Sequence, residues 1–387
     1  MLTQSVSSSA LRPRHTYRLA VGSTFLLQGL CFSTWAARIS TVQQQLGLTD
    51  TELGGVLLAV PIGSVTSLPL TGWLVARFGS RRLSVLGVLL YALGLPLLGL
   101  AATVPQLLAA LVLFGLASNM ANISINTQAV GVEGLYGKSI MAKFHGIWSL
   151  AGFAGAAIGS FMLARHVAPL PHFLLMSGVV LLGLLVARPF LLPHDAPREA
   201  DAPIFVLPDK SLLLLGVLAF CSLLCEGTMF DWSGVYFRKV VAAPPAQVGL
   251  GFAAFMSTMA AGRFVADWFT DRFGRKKTLV ISGLLEAAGL LLAVAWPGLL
   301  TATLGFMLVG LGVSSVVPLV YGAAGRSKTM PAGVALAAVS TVGFAGFLLG
   351  PPVIGLVAGA TSLRVSFALI ALMGLAVALL AQRVEEE

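Results

Sequence analysis

The sequence predicts an all-α, polytopic membrane protein whose twelve transmembrane helices form two similar six-helix bundles. Three observations lead there. Apolar residues make up 57% of the 387-residue chain, charged residues only 10%, and the mean hydropathy is +0.93. A soluble domain carries about 25% charged residues, so too few charges exist here to coat a water-facing surface. Second, the chain divides into twelve apolar runs, each near the ~20 residues a helix needs to cross a bilayer. Third, the basic turn Gly72-Trp-Leu-Val-Ala-Arg-Phe-Gly-Ser-Arg-Arg82 recurs as Asp267-Trp-Phe-Thr-Asp-Arg-Phe-Gly-Arg-Lys-Lys277, with Trp73/Trp268, Arg77/Arg272, Phe78/Phe273 and Gly79/Gly274 in register. The offset is 195 residues, about half the chain. A chain that repeats itself at half its length reads as two bundles fused head to tail.

Taken in order, residues 1–16 are polar and basic, with no clear cleavage site after them, so they read as a cytoplasmic tail rather than a removable signal peptide. The first bundle, 17–192, holds helices 1 to 6 at 17–42, 52–76, 83–102, 106–131, 141–165 and 171–192. Residues 193–210, rich in Pro, Asp and Glu, form the expected cytoplasmic linker. The second bundle, 211–383, holds helices 7 to 12 at 211–238, 246–270, 278–296, 299–323, 332–359 and 362–382, and 384–387 is an acidic tail. Lys and Arg set the orientation. With the N-terminus inside, eighteen of the 24 fall on the cytoplasmic side, five (Arg38, Arg165, Arg238, Lys239 and Arg364) fall outside, and Arg263 lies within a helix. Both termini are then cytoplasmic.

The repeat extends past the turn. Gly115-Leu116 in helix 4 recurs as Gly310-Leu311 in helix 10. Gly152-Phe-Ala-Gly155 and Gly159 in helix 5 recur as Gly343-Phe-Ala-Gly346 and Gly350 in helix 11, at an offset of 191. Glycines four apart give a transmembrane helix a smooth face for close contact, so helices 5 and 11 are expected where the halves touch.

Composition and motifs also exclude functions. The net charge of +9 resides in short turns between apolar runs, without a folded basic face, which argues against nucleic acid as a partner. No phosphate-binding Gly-rich loop with Lys-Ser/Thr is present, so direct ATP use is not expected. No Ser/His/Asp set or metal-ligand cluster suggests an enzyme, a cofactor or a metal. Cys31, Cys221 and Cys225 all lie in apolar segments and read as small buried hydrophobes.

Twelve helices, two halves and a G-x-x-x-D-R-x-G-R-R-type turn after helices 2 and 8 resemble the major facilitator superfamily of secondary transporters, over nearly the whole chain. The pattern departs at two places: the usual acid of the first turn is Ala76, and the second copy keeps Asp271 but has Asp267 for the leading Gly. Trp35-Ala-Ala-Arg-Ile39, Phe144-His-Gly-Ile-Trp-Ser149 and Cys225-Glu-Gly-Thr-Met-Phe-Asp-Trp-Ser233 look like a bacterial branch near the fucose permeases. The resemblance implies alternating access around a midplane site lined by helices 1, 4, 7 and 10. It also implies gating by the turns, through Gly72, Arg77, Gly79, Arg81 and Arg82 in the first and Asp267, Asp271, Arg272, Gly274 and Arg275 in the second. Independently, basic turns meet anionic lipid headgroups at about 1 kcal/mol per residue. Without an acid at Ala76 the first lock is expected to be weaker than the second. Proton-coupled drug exporters of the superfamily typically carry an Arg in helix 4 and Gly-Pro in helix 5. Leu111 and Gly159-Ser160 stand there instead, and Gly350-Pro351 appears in helix 11.

Ionisable groups inside a bilayer cost roughly 2.5–3.5 kcal/mol each on insertion scales, so each marks a candidate site. On helix 7, Glu226 falls just beyond mid-depth and is the better candidate for a proton or substrate site. Asp231 is about 140° further round; with Trp232 it reads as an outer gate, or alone as an interfacial acid wetted from outside. Asn119, Asn122 and Asn126 share one stripe of helix 4 and, with Gln28 on helix 1, suit a hydroxyl-rich or zwitterionic solute. Trp35 and Trp148 join Trp232 as candidate solute contacts. Glu133 and His145 face each other across a short inner loop, either as a titrating pair or as a structural bond. Arg263 and Glu286, both about 12 Å from the same ends of adjacent helices, are expected to form a buried ion pair. The reading is a monomeric multi-pass protein of the bacterial inner membrane that meets a small solute, protons and lipid. Its favoured function is proton-linked uptake of a small polar, sugar-like solute. Proton-coupled export and a non-transporting receptor are the alternatives.

Overall fold

The computed structural model describes residues 13–137, 140–193, 195, 210–327, 329–330 and 332–384. Most of the tail 1–16, the linker 193–210 and the acidic tail 384–387 lie outside the described residues, as do Arg12, Lys138, Arg198 and Lys328 of the orientation count. Twelve helices long and apolar enough to cross a membrane account for almost all of what is described.

Helix 1 runs Arg14–Ala36 and, after a break at Ala37–Arg38, continues as Ile39–Gln45. The break lets the fully buried Arg38 donate Nε to Nδ1 of His172 on helix 6 at 3.0 Å. Helix 2 is Asp50–Leu57 and Ala59–Phe78, opened by a capping box in which Thr49 and Glu52 satisfy each other's backbone N–H. Helices 3 to 6 are Ser80–Leu100, Val104–Tyr136, Met141–Ala164 and Pro169–Ala187. Helices 7 to 12 are Lys210–Lys239, Leu250–Phe273, Arg275–Ala295, Leu299–Ala324, Ala332–Ala360 and Leu363–Ala381.

Two helices differ from the sequence expectation by about a turn. Helix 4 continues to Tyr136 because its carbonyls run unbroken to Gly137, whose φ of 63° ends the helix in a left-handed cap. Helix 6 stops at Ala187 because Pro189 cannot donate to a further turn, and a short 3-10 turn, Arg188–Phe190, follows.

Each basic turn is a single residue. Gly79, at φ 81° and ψ 151°, is all that separates helix 2 from helix 3, and Gly274, at φ 84° and ψ 157°, does the same between helices 8 and 9. That region of backbone space is essentially open to glycine only, which explains why both copies carry it. Gly72 has no such reason, since a Cβ there would meet nothing within 4 Å.

The two halves are built alike. Helix 5 packs on helix 1, where a Cβ at Gly155 would strike Ser33 and one at Gly159 would strike Ala37. Helix 11 packs on helix 7 in the same way, Gly346 against the Phe220 carbonyl and Gly343 against Ala219. Gly115 of helix 4 abuts the Val60 carbonyl of helix 2, and Gly310 of helix 10 abuts the Phe255 carbonyl of helix 8. The repeated glycines of helices 5 and 11 therefore serve mostly close packing inside each half, which corrects the expectation that they join the halves. Only Gly152, against Met256, crosses over. A smooth glycine face shows that a backbone approaches, and tertiary packing decides which one.

Contacts between the halves gather away from the basic turns. Call the side carrying the turns the basic face. At the opposite face Lys239 pairs with Asp50 at 2.6 Å, Arg238 donates to the Ser40 carbonyl and to Gln43, and Thr51 donates to the Gly355 carbonyl at 3.2 Å. Gly54 and Gly355 meet backbone to backbone, and a Cβ at Gly359 would enter Thr51. Helices 2 and 11 thus close that face, while helices 5 and 8 form a seam at Gly152–Met256 and Gly146–Phe264.

Candidate functional site

Between the halves lies a cavity of about 420 Å³, bounded by helices 1, 2, 4, 5, 7, 8, 10 and 11. Its floor is aromatic. Phe230 on helix 7 packs edge-on against Phe32 (ring centroids 4.9 Å apart) and Phe255 (5.7 Å), and lies parallel to Phe347 at 6.1 Å. Trp148 leans on Phe32 and Phe230, and Trp35 completes the wall from helix 1. Edge-to-face and offset ring pairs are the arrangements aromatic quadrupoles favour.

The polar wall comes from helices 1, 2 and 4. Gln28, Ser64, Ser118, Asn119 and Asn122 line it. Gln28 reaches the Ser118 carbonyl at 3.5 Å, and Asn119 donates to Ser67 Oγ at 2.7 Å. Asn126 does not line the cavity; its amide is turned back on Asn122, donating to the Oδ1 at 3.0 Å. Helix 4 supplies the amides because its small residues, Ala117, Ala121 and Gly115, bury the other side against helices 2 and 3.

Charge enters from the second half. Arg263 Nη2 lies 3.5 Å from Glu226 Oε1, and Nη1 donates to Ser149 Oγ at 2.6 Å. Ser149 in turn donates to the His145 carbonyl at 3.0 Å. An acid of helix 7, an arginine of helix 8 and a hydroxyl of helix 5 thus make one chain across the boundary between the halves. The chain leaves Arg263 Nε without a partner among the described residues. Asp231 also lines the cavity and makes no ion pair or hydrogen bond among the described residues.

Four sequence expectations need correction. Arg263 pairs with Glu226, not with Glu286; depth along separate helices cannot decide which neighbour a long side chain meets, and helix 8 aims it at helix 7. Glu286 is fully buried and its Oε1 accepts instead from Ser222 Oγ at 2.8 Å. Glu133 does not meet His145. Its Oε2 accepts from the backbone N–H of Ile140 and Met141 at 2.7 and 3.0 Å, so it caps the start of helix 5 in the structural role. His145 lies instead on the cavity wall, edge-on to Phe25. Trp232 is completely buried outside the cavity lining, with Nε1 unpartnered among the described residues. Glu226 and Asp231 both reach the cavity despite their angular separation, because the cavity wraps around helix 7.

The two basic turns are dressed differently. In the first, Asp195, just after helix 6, accepts from the Ser80 backbone N–H at 2.8 Å and from the Ser80 hydroxyl. Gln128 of helix 4 donates to Ser80 Oγ at 2.6 Å and exchanges two bonds with Leu192. Arg81 reaches the carbonyls of Arg188 and Pro189, and Arg77 stacks over Trp73 and Phe78. A carboxylate at a helix N-terminus is favoured by the exposed N–H groups, so Asp195 supplies an acid to a turn whose own acid position is Ala76. The second turn keeps an open pocket of about 560 Å³, in which Asp267, Asp271, Gly274, Arg275, Lys277 and Arg326 stand. Arg82 and Arg272 stay at the rim of this face. Asp195 and the central Phe230 were not among the expected site residues; the aromatic spacing Phe32, Phe230 and Phe347 gives no sequence signal, since the rings come from three helices.

Comparison with known proteins agrees with this architecture. The sequence profile of the Major Facilitator Superfamily matches residues 21–243 and 215–386. An uncharacterized MFS-type transporter of Yersinia pestis is 36% identical over 383 residues, covering 99% of this chain and 100% of that protein. Among solved structures, a D-xylose-proton symporter aligns with a TM-score of 0.73 at 17% identity, covering 96% of this chain and 98% of that one. A nucleoside transporter, NupG in a D323A form, aligns with a TM-score of 0.73 at 15% identity, covering 96% and 100%.

Proposed function

The chain belongs to the major facilitator superfamily, and we propose that it works by alternating access as a proton-coupled symporter of a small polar, sugar-like solute. It is a multi-pass inner-membrane transporter and not an enzyme. On the positive-inside rule its basic face is cytoplasmic, with both termini, the linker 193–210 between bundles 17–192 and 211–383, and the turns on that side. In the proposed orientation, with the opposite face closed, this is an inward-open arrangement.

The observation that carries the coupling is the Glu226–Arg263–Ser149 chain. An ionised Glu226 holds Arg263, and Arg263 holds helix 5 of the other half. A proton on Glu226 removes the charge that fixes Arg263, which loosens the seam between helices 5 and 8. Proton binding and rocking are thereby linked through one arginine. Asp231, unpartnered in the cavity among the described residues, is a second acceptor for a proton or a solute hydroxyl. Solute contacts fall to Gln28, Asn119, Asn122, Trp35 and Trp148: amides that both donate and accept, beside rings on which the apolar face of a sugar stacks. The narrower likeness to fucose permeases favours the same solute class.

Purified protein in liposomes under an imposed pH gradient, offered labelled sugars, amino acids, nucleosides and dyes, tests the reading. Concentrative uptake of a polar solute is expected, reduced by about tenfold or more in Glu226→Gln, since coupling energies of about 1–3 kcal/mol correspond to about 5–150-fold. Efflux confined to dyes would make the protein an exporter. Tight binding of one solute without flux would make it a sensor.

A further inference from the structure

Glu286 is a fully buried acid inside the second bundle that the coupling scheme above leaves unused. It sits on helix 9 with no exposed surface, its Oε1 accepting from Ser222 Oγ at 2.8 Å and its Oε2 without a partner among the described residues. No basic side chain comes within 4 Å of either oxygen among the described residues. The surroundings are tight: a Cβ at Gly312 of helix 10 would lie 2.7 Å from the Glu286 Cγ, and one at Gly374 of helix 12 would lie 2.9 Å from its Cβ. The titratable groups that face it are on helix 7: Cys221, Cys225 and Glu226. Helix 12 carries only Arg364, which is spent on the Val294 carbonyl near the opposite face. Helix 10 carries Tyr321 and helix 8 carries Arg263, the latter held by Glu226. An isolated carboxylate cannot be kept ionised in such a place, so the group is a neutral acid here.

Ser222 and Glu226 are four residues apart on helix 7 and share a face. We propose that Glu226 and Glu286 share one proton through the Ser222 hydroxyl, and that Arg263 decides which of them holds it. In the conformation described, Arg263 pairs with Glu226, so the proton rests on Glu286. Transfer requires the Ser222 hydroxyl, which here donates to Glu286 Oε1, to turn toward Glu226. The O–H bond of Glu286 then breaks as its proton passes to Ser222 Oγ, Ser222 gives its own proton to Glu226, and an O–H bond forms on Glu226. The negative charge moves the other way, and Arg263 loses its partner. Glu286 is then a second proton-carrying residue of the transport cycle, which rests on the symport reading for its role but not for its protonation state.

Infrared difference spectroscopy on the full-length protein in liposomes at neutral pH reads that state without any transported solute. The carbonyl band of a neutral carboxylic acid is expected in the parent protein, retained in Glu226→Gln and absent in Glu286→Gln. Ser222→Ala should slow hydrogen–deuterium exchange of that band by about tenfold. The isosteric glutamine keeps the Ser222 hydrogen bond, so a merely structural Glu286 would show the parent's pH-driven uptake in Glu286→Gln. The proposal requires that uptake to fall by about tenfold while exchange of labelled for unlabelled solute persists. A band unchanged in Glu286→Gln, or full pH-driven uptake in that variant, overturns the shared proton. If the band behaves as expected but the parent shows no pH-driven uptake, the symport reading fails while the neutral Glu286 stands.

Discussion

Phe230 shows how much of the site depends on one side chain. It is nearly buried and touches rings from helices 1, 5, 8 and 11. Truncation to alanine would open a void among partners that cannot all relax, at a cost of about 3–5 kcal/mol. A fall in the thermal midpoint of the purified protein, together with weakened solute uptake, is the expected outcome; an unchanged midpoint would deny it the central place. Ser149→Ala is the milder residue-scale test of the seam. It removes the acceptor of Arg263 Nη1 and leaves Glu226 paired, so helices 5 and 8 should separate more easily and that separation should depend less on pH. Cysteine crosslinking between those helices checks it, through a lower yield in the variant. At this scale the sequence named the participants better than their partners. Glu226, Arg263, Asn119 and His145 all stand out as polar groups in apolar helices. Which carboxylate Arg263 meets depends on how helices 7, 8 and 9 cross, and no spacing within one helix records that.

The helices themselves were legible because bilayer thickness fixes their length and an apolar run announces it. Their ends were less so. Helix 4 outlasts its apolar run to Tyr136, since hydrogen bonding and a left-handed glycine, not hydropathy, stop it. The doubled turn was legible as a repeat, but its mechanics were not: Gly79 and Gly274 are the whole connection between two helices. Gly79→Ala places a Cβ in a backbone region that only glycine occupies comfortably, costing about 1–3 kcal/mol. Lower stability in Gly79→Ala, with Gly72→Ala unchanged, would separate the glycine that turns the chain from the one that does not.

Asp195 belongs to this scale too. The sequence shows an acid missing at Ala76 but cannot show that a residue over a hundred positions later supplies the carboxylate. Asp195→Asn should loosen the first turn by about 1 kcal/mol, read as earlier thermal unfolding and faster hydrogen exchange at Ser80. No change in either would mean that Gln128 holds the turn alone. In the second turn Asp267 and Asp271 share the open pocket, and Asp271→Asn is expected to shift the protein toward inward-facing more than Asp195→Asn does.

At the scale of the whole molecule, two bundles of one design meet around a cavity that is closed at one face by helices 2, 7 and 11 and crossed by the Arg263 link. Helix 5 packs on helix 1 and helix 11 on helix 7 in the same way, and on the proposed mechanism each half moves as a unit about the seam between helices 5 and 8. The link across that pivot ends on an acid, Glu226, through which the proposed mechanism ties the pivot to a proton. The measurement that tests this most directly uses proteoliposomes carrying a pH-sensitive dye inside, with no gradient imposed. Once the uptake panel has identified a transported solute, adding it outside should acidify the lumen in the parent protein and leave the lumen unchanged in Glu226→Gln. Solute entry with no proton movement in the parent, or equal acidification in the variant, would contradict the account.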